Sequence, residues 1–196
     1  MKERPIIFTV PTLIEGILNG IVTQTRRVIK PCSAATLHDG SQPEWVFTLA
    51  KCPYGQVGDR LWVKETFVIE EAGDSEEPKD RPFKYDLEYG LLIPHYRATE
   101  PDIELVTEEQ EDNVTKWRPS IFMPRWAPRI TLEITEVRVE RLQEITHDDI
   151  VKEGIIPIPF HSKTEFKTLW DSLNAKRGYG WEANPFVWVI SFKVVK

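Results

Sequence analysis

The run Phe186-Val187-Trp188-Val189-Ile190-Ser191-Phe192 is apolar on both faces. Successive side chains of a strand point to opposite sides. Such a segment needs cover on both, which predicts a central strand of a closed or covered sheet. The rest of the chain must therefore supply further strands, and it does so in short pieces. Pro5 to Phe8 reads as a first strand. Gly58-Asp59 is a turn signal ahead of Arg60 to Val68, which alternates well enough to be another. Ile130, Leu132 and Ile134 alternate with polar residues before the apolar phase shifts to Val137 and Val139, predicting a bulge near Thr135-Glu136.

Helices are signposted between these strands. Pro11 suits the first turn of a helix carrying Leu13, Ile14, Ile17 and Leu18, stopped by Asn19-Gly20. Thr146 with Asp149 resembles a capping arrangement for a short helix through Ile150 and Val151 that ends at Gly154. Ser162 with Glu165 makes a second cap ahead of Phe166, Leu169, Trp170 and Leu173, an aromatic stripe that reads as core and not as a cofactor surface. Short strands with helices at the ends predict an α+β fold built on a small mixed barrel. With 41% hydrophobic residues and seven tryptophans among 196, residues 1–196 can form one domain with a large insertion.

That insertion holds most of the acidity. Residues 70–112 carry 15 acidic and 4 basic side chains, so the net charge of −6 hides a remainder with 21 basic and 16 acidic ones. Composition around Glu70 to Pro78 predicts a solvated, flexible loop. An arm that covers a basic groove, or that binds a host protein, is the functional alternative. No apolar run approaches the twenty or so residues of a membrane span, so a cytoplasmic protein without a membrane partner is expected. Cys32 and Cys52 form no Cys-x-x-Cys pair, and a zinc site would have to recruit His38 at no familiar spacing; reduced thiols are the better reading. No metal, flavin or nucleotide cofactor signature is visible, and no cofactor is expected.

Two stretches carry ligand-binding chemistry. Directly after the helix stop, Gly20 to Arg27 places hydroxyls at Thr23 and Thr25 on one strand face, with Val22, Gln24 and Arg26 on the other. Arg26 and Arg27 add planar forks of donors suited to phosphate or a base edge. An edge strand with solvated charges is the ordinary alternative. In Lys116 to Trp126, cations and aromatics interleave while prolines exclude a helix, as in surfaces that neutralise phosphates and stack on unpaired bases. Trp126 reads as a core plug beside a strand, whereas Trp117, Arg118 and Arg125 read as candidate nucleic-acid contacts.

Taken together these motifs resemble the ASCH group of PUA-like proteins, in particular its long phage and prophage members. The resemblance rests on Gly20 to Arg27, Cys52 to Gly55, Gly58 to Val63, Trp117 to Trp126, Glu153 to Ile155, Leu169 to Ser172 and Asn184 to Val189. It implies an RNA-associated barrel, and hence RNA or a nucleoside or nucleotide as partner. A cellular branch of the group hydrolyses the acetyl amide of N-acetylcytidine using a lysine, a threonine and a glutamate. Position by position, the threonine falls on Thr25, the glutamate on Glu153, the signature arginine on Arg27 and the lysine on Val22. Valine offers neither a proton acceptor nor a charge, so the resemblance points first to a binding module whose cleft lies between residues 23–27 and 117–125. An amidohydrolase, with Lys64 or Lys30 supplying the amine, is the second reading; an RNA nuclease is a further one. Glu153 sits where a helix macrodipole disfavours a carboxylate, which would raise its pKa.

Overall fold

The computed structural model describes residues 1–30, 51–73, 75–103, 116–155 and 162–195. Cys32, His38, Asp74, residues 104–112 of the acidic segment and the Ser162 side chain lie outside them. Eight strands run in chain order: β1 (Glu3–Ile7), β2 (Gln24–Val28), β3 (Arg60–Lys64), β4 (Phe67–Glu71), β5 (Lys84–Asp86), β6 (Gly90–Tyr96), β7 (Thr131–Arg141) and β8 (Phe186–Val194). Helices α1 (Pro11–Leu18), α2 (His147–Lys152) and α3 (Ser162–Asn174) accompany them. None of the described helices is long and apolar enough to cross a membrane.

The α+β class holds, but the described strands form two open sheets and not a closed barrel. One is ordered β1-β3-β7-β8-β2 and the other β4-β6-β5. β1 and β2 are the edges of the larger sheet, and no ladder joins them among the described residues. What spans them is one side chain: Arg27 Nη2 on β2 donates to Ile7 O on β1 at 2.8 Å. Residues of both strands line a cavity at this place.

β8 occupies the position its composition demands, between β7 and β2. Phe186, Trp188, Ile190 and Phe192 enter a cluster with Ile14 and Ile17 of α1, while Val187 and Val189 enter another with Ile150 of α2 and Phe166 and Trp170 of α3. Each large side chain so buried is worth about 1.5–3 kcal/mol. The bulge in β7 falls between Ile134 and Glu136, as the phase shift of the apolar residues requires. Thr146 and Asp149 form the reciprocal cap of α2.

Arg60 to Val68 departs from the expected single strand. It breaks at Glu65-Thr66 into β3 and β4, which belong to different sheets. Glu65 is 1% exposed and accepts from Arg129 Nε and Nη2, both at 2.9 Å, while the guanidinium lies 4.0 Å above the Tyr96 ring. This buried fork pins the turn between the sheets. The acidic segment also contributes structure, since β5 and β6 lie within it and pair antiparallel with Leu91 and Tyr96 buried; residues 75–83 carry no strand.

Candidate ligand cavity beside the second strand

The cavity is assembled from the turn that follows α1. Gly20, at φ +71°, lets the chain leave the helix, and the N–H groups of Ile21 and Val22 return to Gly16 O at 2.8 and 3.0 Å. Thr23 N–H then donates to Lys152 O at 2.9 Å, fastening the start of β2 to the end of α2. From there β2 pairs antiparallel with β8, Thr25 opposite Ile190 and Arg27 opposite Trp188.

Alternation along β2 sends neighbouring residues to different tasks. Gln24 and Arg26 reach α2. Arg26 is fully enclosed and forms ion pairs with Glu140, Glu153 and Asp149, the last at 3.1 Å. Gln24 Nε2 donates to Asp149 Oδ1 at 3.0 Å, and Arg138 adds a second guanidinium through Asp149 Oδ1 at 2.7 Å and Glu140 Oε2 at 3.0 Å. Burial pushes the Asp149 carboxyl up, but donation from Gln24 and Thr146 and the charge of Arg26 outweigh it and hold it well below the ordinary range. For Glu153 the balance is reversed. Burial dominates over the pull of Arg26 and raises its pKa. Glu153 is the C-cap of α2, as its position in the sequence suggests, and desolvation is the leading cause of its shift.

Arg27 is treated differently from its neighbour. It donates to Ile7 O, lies 4.9 Å from the Phe8 ring centroid and has no ion pair among the described residues; its Nε is buried without a hydrogen-bond partner. Burial lowers its pKa. A guanidinium held this way by a carbonyl and a ring keeps its charge available to a ligand.

Thr25, Arg26, Arg27 and Glu153 all line a cavity of about 840 Å³, within the usual size of a small-molecule site. Lys30, Lys64 and Arg177 line it too, so among the described residues five cationic side chains face one carboxylate. That excess stands out in a chain whose net charge is −6. Leu169, Trp170 and Leu173 form part of the wall, so the aromatic stripe of α3 is core on one side and cavity lining on the other. The Thr25 hydroxyl finds no hydrogen-bond partner among the described residues.

Other residues singled out in the sequence stand elsewhere. Thr23 is half-buried and is not among the lining residues. Nor are Trp117, Arg118 and Arg125. Arg118 is fixed through its backbone to Phe67, at 2.7 and 3.2 Å, and Arg125 pairs with Glu3 and lies 5.3 Å from the Trp62 ring centroid. The 117–125 segment reaches the cavity through Ile121. Trp126 packs against the cluster of Phe67, Tyr96, Met123 and Ala127. Val22 is buried and touches the cavity from between α1 and α2; an ideal Cβ on either Gly16 or Gly154 would come within 2.5 Å of its Cγ2. Sequence reading missed Tyr54, Arg177 and Tyr179 as lining residues. Only the fold brings these distant positions to β2.

Fold and cavity together define a small α+β protein with a basic, partly aromatic pocket at the open side of its main sheet. No family model matches the chain, and no curated protein does. Two solved structures are similar to it. One is an ASCH domain from Lactobacillus crispatus JV V101, with 12% identity and a TM-score of 0.47 over 99% of this chain and 80% of that one. The other is an Enterococcus faecalis V583 protein of the DUF984 family, with 9% identity and a TM-score of 0.46 over 100% of this chain and 81% of that one.

Proposed function

We propose that the cavity binds a nucleotide, either free or as a unit of RNA. The observation that carries this is Arg27, without an ion pair among the described residues, in a pocket where five of the described cations face one described carboxylate. Arg26 is neutralised by three carboxylates and serves the fold, so Arg27, Lys30 and Arg177 supply the field that selects a phosphate. Tyr54 and Tyr179 add aromatic surface for a base.

Calorimetric titration with nucleoside 5′-monophosphates and the matching nucleosides tests the reading. The monophosphates are expected to bind at least about tenfold more tightly at low salt, with an advantage that shrinks as salt is added. Arg27→Ala, checked for folding by circular dichroism, is expected to remove about tenfold of that affinity. Arg118→Ala, outside the cavity, is expected to leave mononucleotide binding unchanged. Equal affinity for nucleoside and nucleotide would count against the reading.

One observation favours a second, hydrolytic reading: the unpartnered Thr25 hydroxyl and the Glu153 carboxyl line the same cavity, and Lys30 and Lys64 line it as well. Glu153, its pKa raised, would take the proton of the attacking Thr25 hydroxyl or water as that oxygen adds to the acetyl carbonyl, and return it to the cytidine nitrogen as the C–N bond breaks. The acetyl group leaves as acetate, after hydrolysis of an acetyl-Thr25 ester where Thr25 is the nucleophile. On this reading the protein releases cytidine from N-acetylcytidine and Glu153→Gln abolishes the release. On the binding reading neither protein releases any, and Val22→Lys is the variant that introduces an amine at the cavity wall.

A further inference from the structure

We propose that the cavity continues into a second binding surface, formed by Ile121, Phe122, Trp62 and Arg125, along which a single strand of RNA runs. This rests on the reading of the cavity as a nucleotide site. It makes the nucleotide held there one unit of an oligomer.

The surface is continuous with the cavity. Lys64 lines the pocket, donates to Ile121 O and lies 5.6 Å from the Trp62 ring centroid. Ile121 also lines the pocket, yet it is 60% exposed, and Phe122 beside it is 71% exposed. These two are not loose loop residues. They sit on a short 3-10 turn, Ser120–Phe122, whose flanks are anchored: Ser120 is 4% exposed and Met123 2%. Hydrogen bonds from Phe122 N–H to Pro119 O at 3.0 Å and from Met123 N–H to Ser120 O at 3.1 Å close the turn. A phenylalanine presented to water on an anchored turn forgoes the stabilisation that burial would give. A base stacked on it would restore that cover.

Charge is arranged to match. Trp62 is half-buried on β3 between the buried Leu61 and Val63, with Lys64 and Arg125 both over its ring. Arg125 has its side chain 58% exposed, and its one carboxylate among the described residues is Glu3, 39% exposed. A surface pair of this kind contributes little and yields readily to a phosphate. Aromatic faces interleaved with cations are the composition by which proteins hold unpaired strands without reading their sequence.

The test compares two probes, a random-sequence RNA hexamer pool and an equimolar mixture of the four nucleoside 5′-monophosphates, on the native chain and on Phe122→Ala. The hexamer is expected to bind at least tenfold more tightly than the mononucleotides. Phe122→Ala is expected to weaken the hexamer at least about fivefold, the low end of the stacking range, with mononucleotide binding unchanged. Equal affinity for both probes, or a hexamer unaffected by Phe122→Ala, would overturn the strand path and leave the cavity reading standing. A loss shared by both probes would place Phe122 in the cavity site and likewise overturn it. Failure of both probes to bind the native chain would remove the cavity reading, and the strand path with it.

Discussion

Arg26→Met is expected to lower stability at pH 7 by about 3–5 kcal/mol, a range set by what breaking a buried ion pair costs when one partner is removed. The guanidinium is fully enclosed and meets Glu140, Asp149 and Glu153. Methionine fills much of the same volume, so the loss measures charge and not packing. What remains is three carboxylates, Asp149 buried and Glu140 and Glu153 half-buried, with Arg138 as the nearby cation, which reaches Asp149 and Glu140. The pKa values of Asp149 and Glu153 rise in the variant, because the ionised forms have lost their partner. A carboxyl whose folded pKa is raised favours the fold at low pH and opposes it once pH rises through that value. The destabilisation is therefore expected to be largest at neutral pH and smaller near pH 4.5, as urea denaturation at both would show. Adding Glu153→Gln to Arg26→Met removes the carboxyl already pushed up by burial and is expected to recover part of the loss. An Arg26→Met variant as stable as the native chain at pH 7 would refute the assignment of Arg26 to the fold.

The second large effect is steric. Gly154 ends α2 at φ +86°, and a Cβ there would stand 2.5 Å from Val22 Cγ2 and 3.2 Å from Leu13 Cδ2. Gly154→Ala is expected to cost about 2–5 kcal/mol, the sum of a left-handed backbone and an overpacked contact. Gly20 separates the two contributions, since it has φ +71° with nothing within 4 Å of its Cβ position. Gly20→Ala is thus expected to cost only the backbone share, about 1–2 kcal/mol. Val22→Ala in the Gly154→Ala background relieves the clash and narrows the gap, which thermal unfolding of the four proteins would reveal. Equal losses at positions 20 and 154 would show that Val22 moves aside freely.

The parts of the fold legible in the sequence are those where one local rule acts alone. β8 declares its burial by being apolar on both faces, α1 declares its bounds by Pro11 and Asn19-Gly20, and the β7 bulge shows as a phase shift. The break at Glu65-Thr66 was hidden because its cause, Arg129, lies 64 residues away and a charged residue within an alternating run reads as an exposed position. The cavity is similar. Thr25, Arg26, Arg27 and Glu153 are visible as chemistry, but sequence cannot distinguish an arginine surrounded by carboxylates from its neighbour held by a carbonyl. The barrel expectation went astray at that same residue. Nothing in alternation or propensity says that two edge strands will be spanned by a side chain with a pocket beside them.

The placement of β8 bears on how the protein comes to be folded during synthesis. It follows every other described element in the chain, yet it is the strand that joins β2 to β7 and divides the two larger apolar clusters. Gln24 and Ser191, opposite one another in the sheet, are 167 residues apart. β1, β3 and β7 can pair as they leave the ribosome, but among the described strands β2 has no ladder partner until β8 emerges. Through that interval the apolar faces of α1 and α3 and the free edge of β2 are open to other chains, the exposure that makes long-range sheets slow to form and prone to aggregate. The larger sheet therefore waits on β8, and β2, whose Arg27 lines the cavity, gains its strand partner only when β8 arrives.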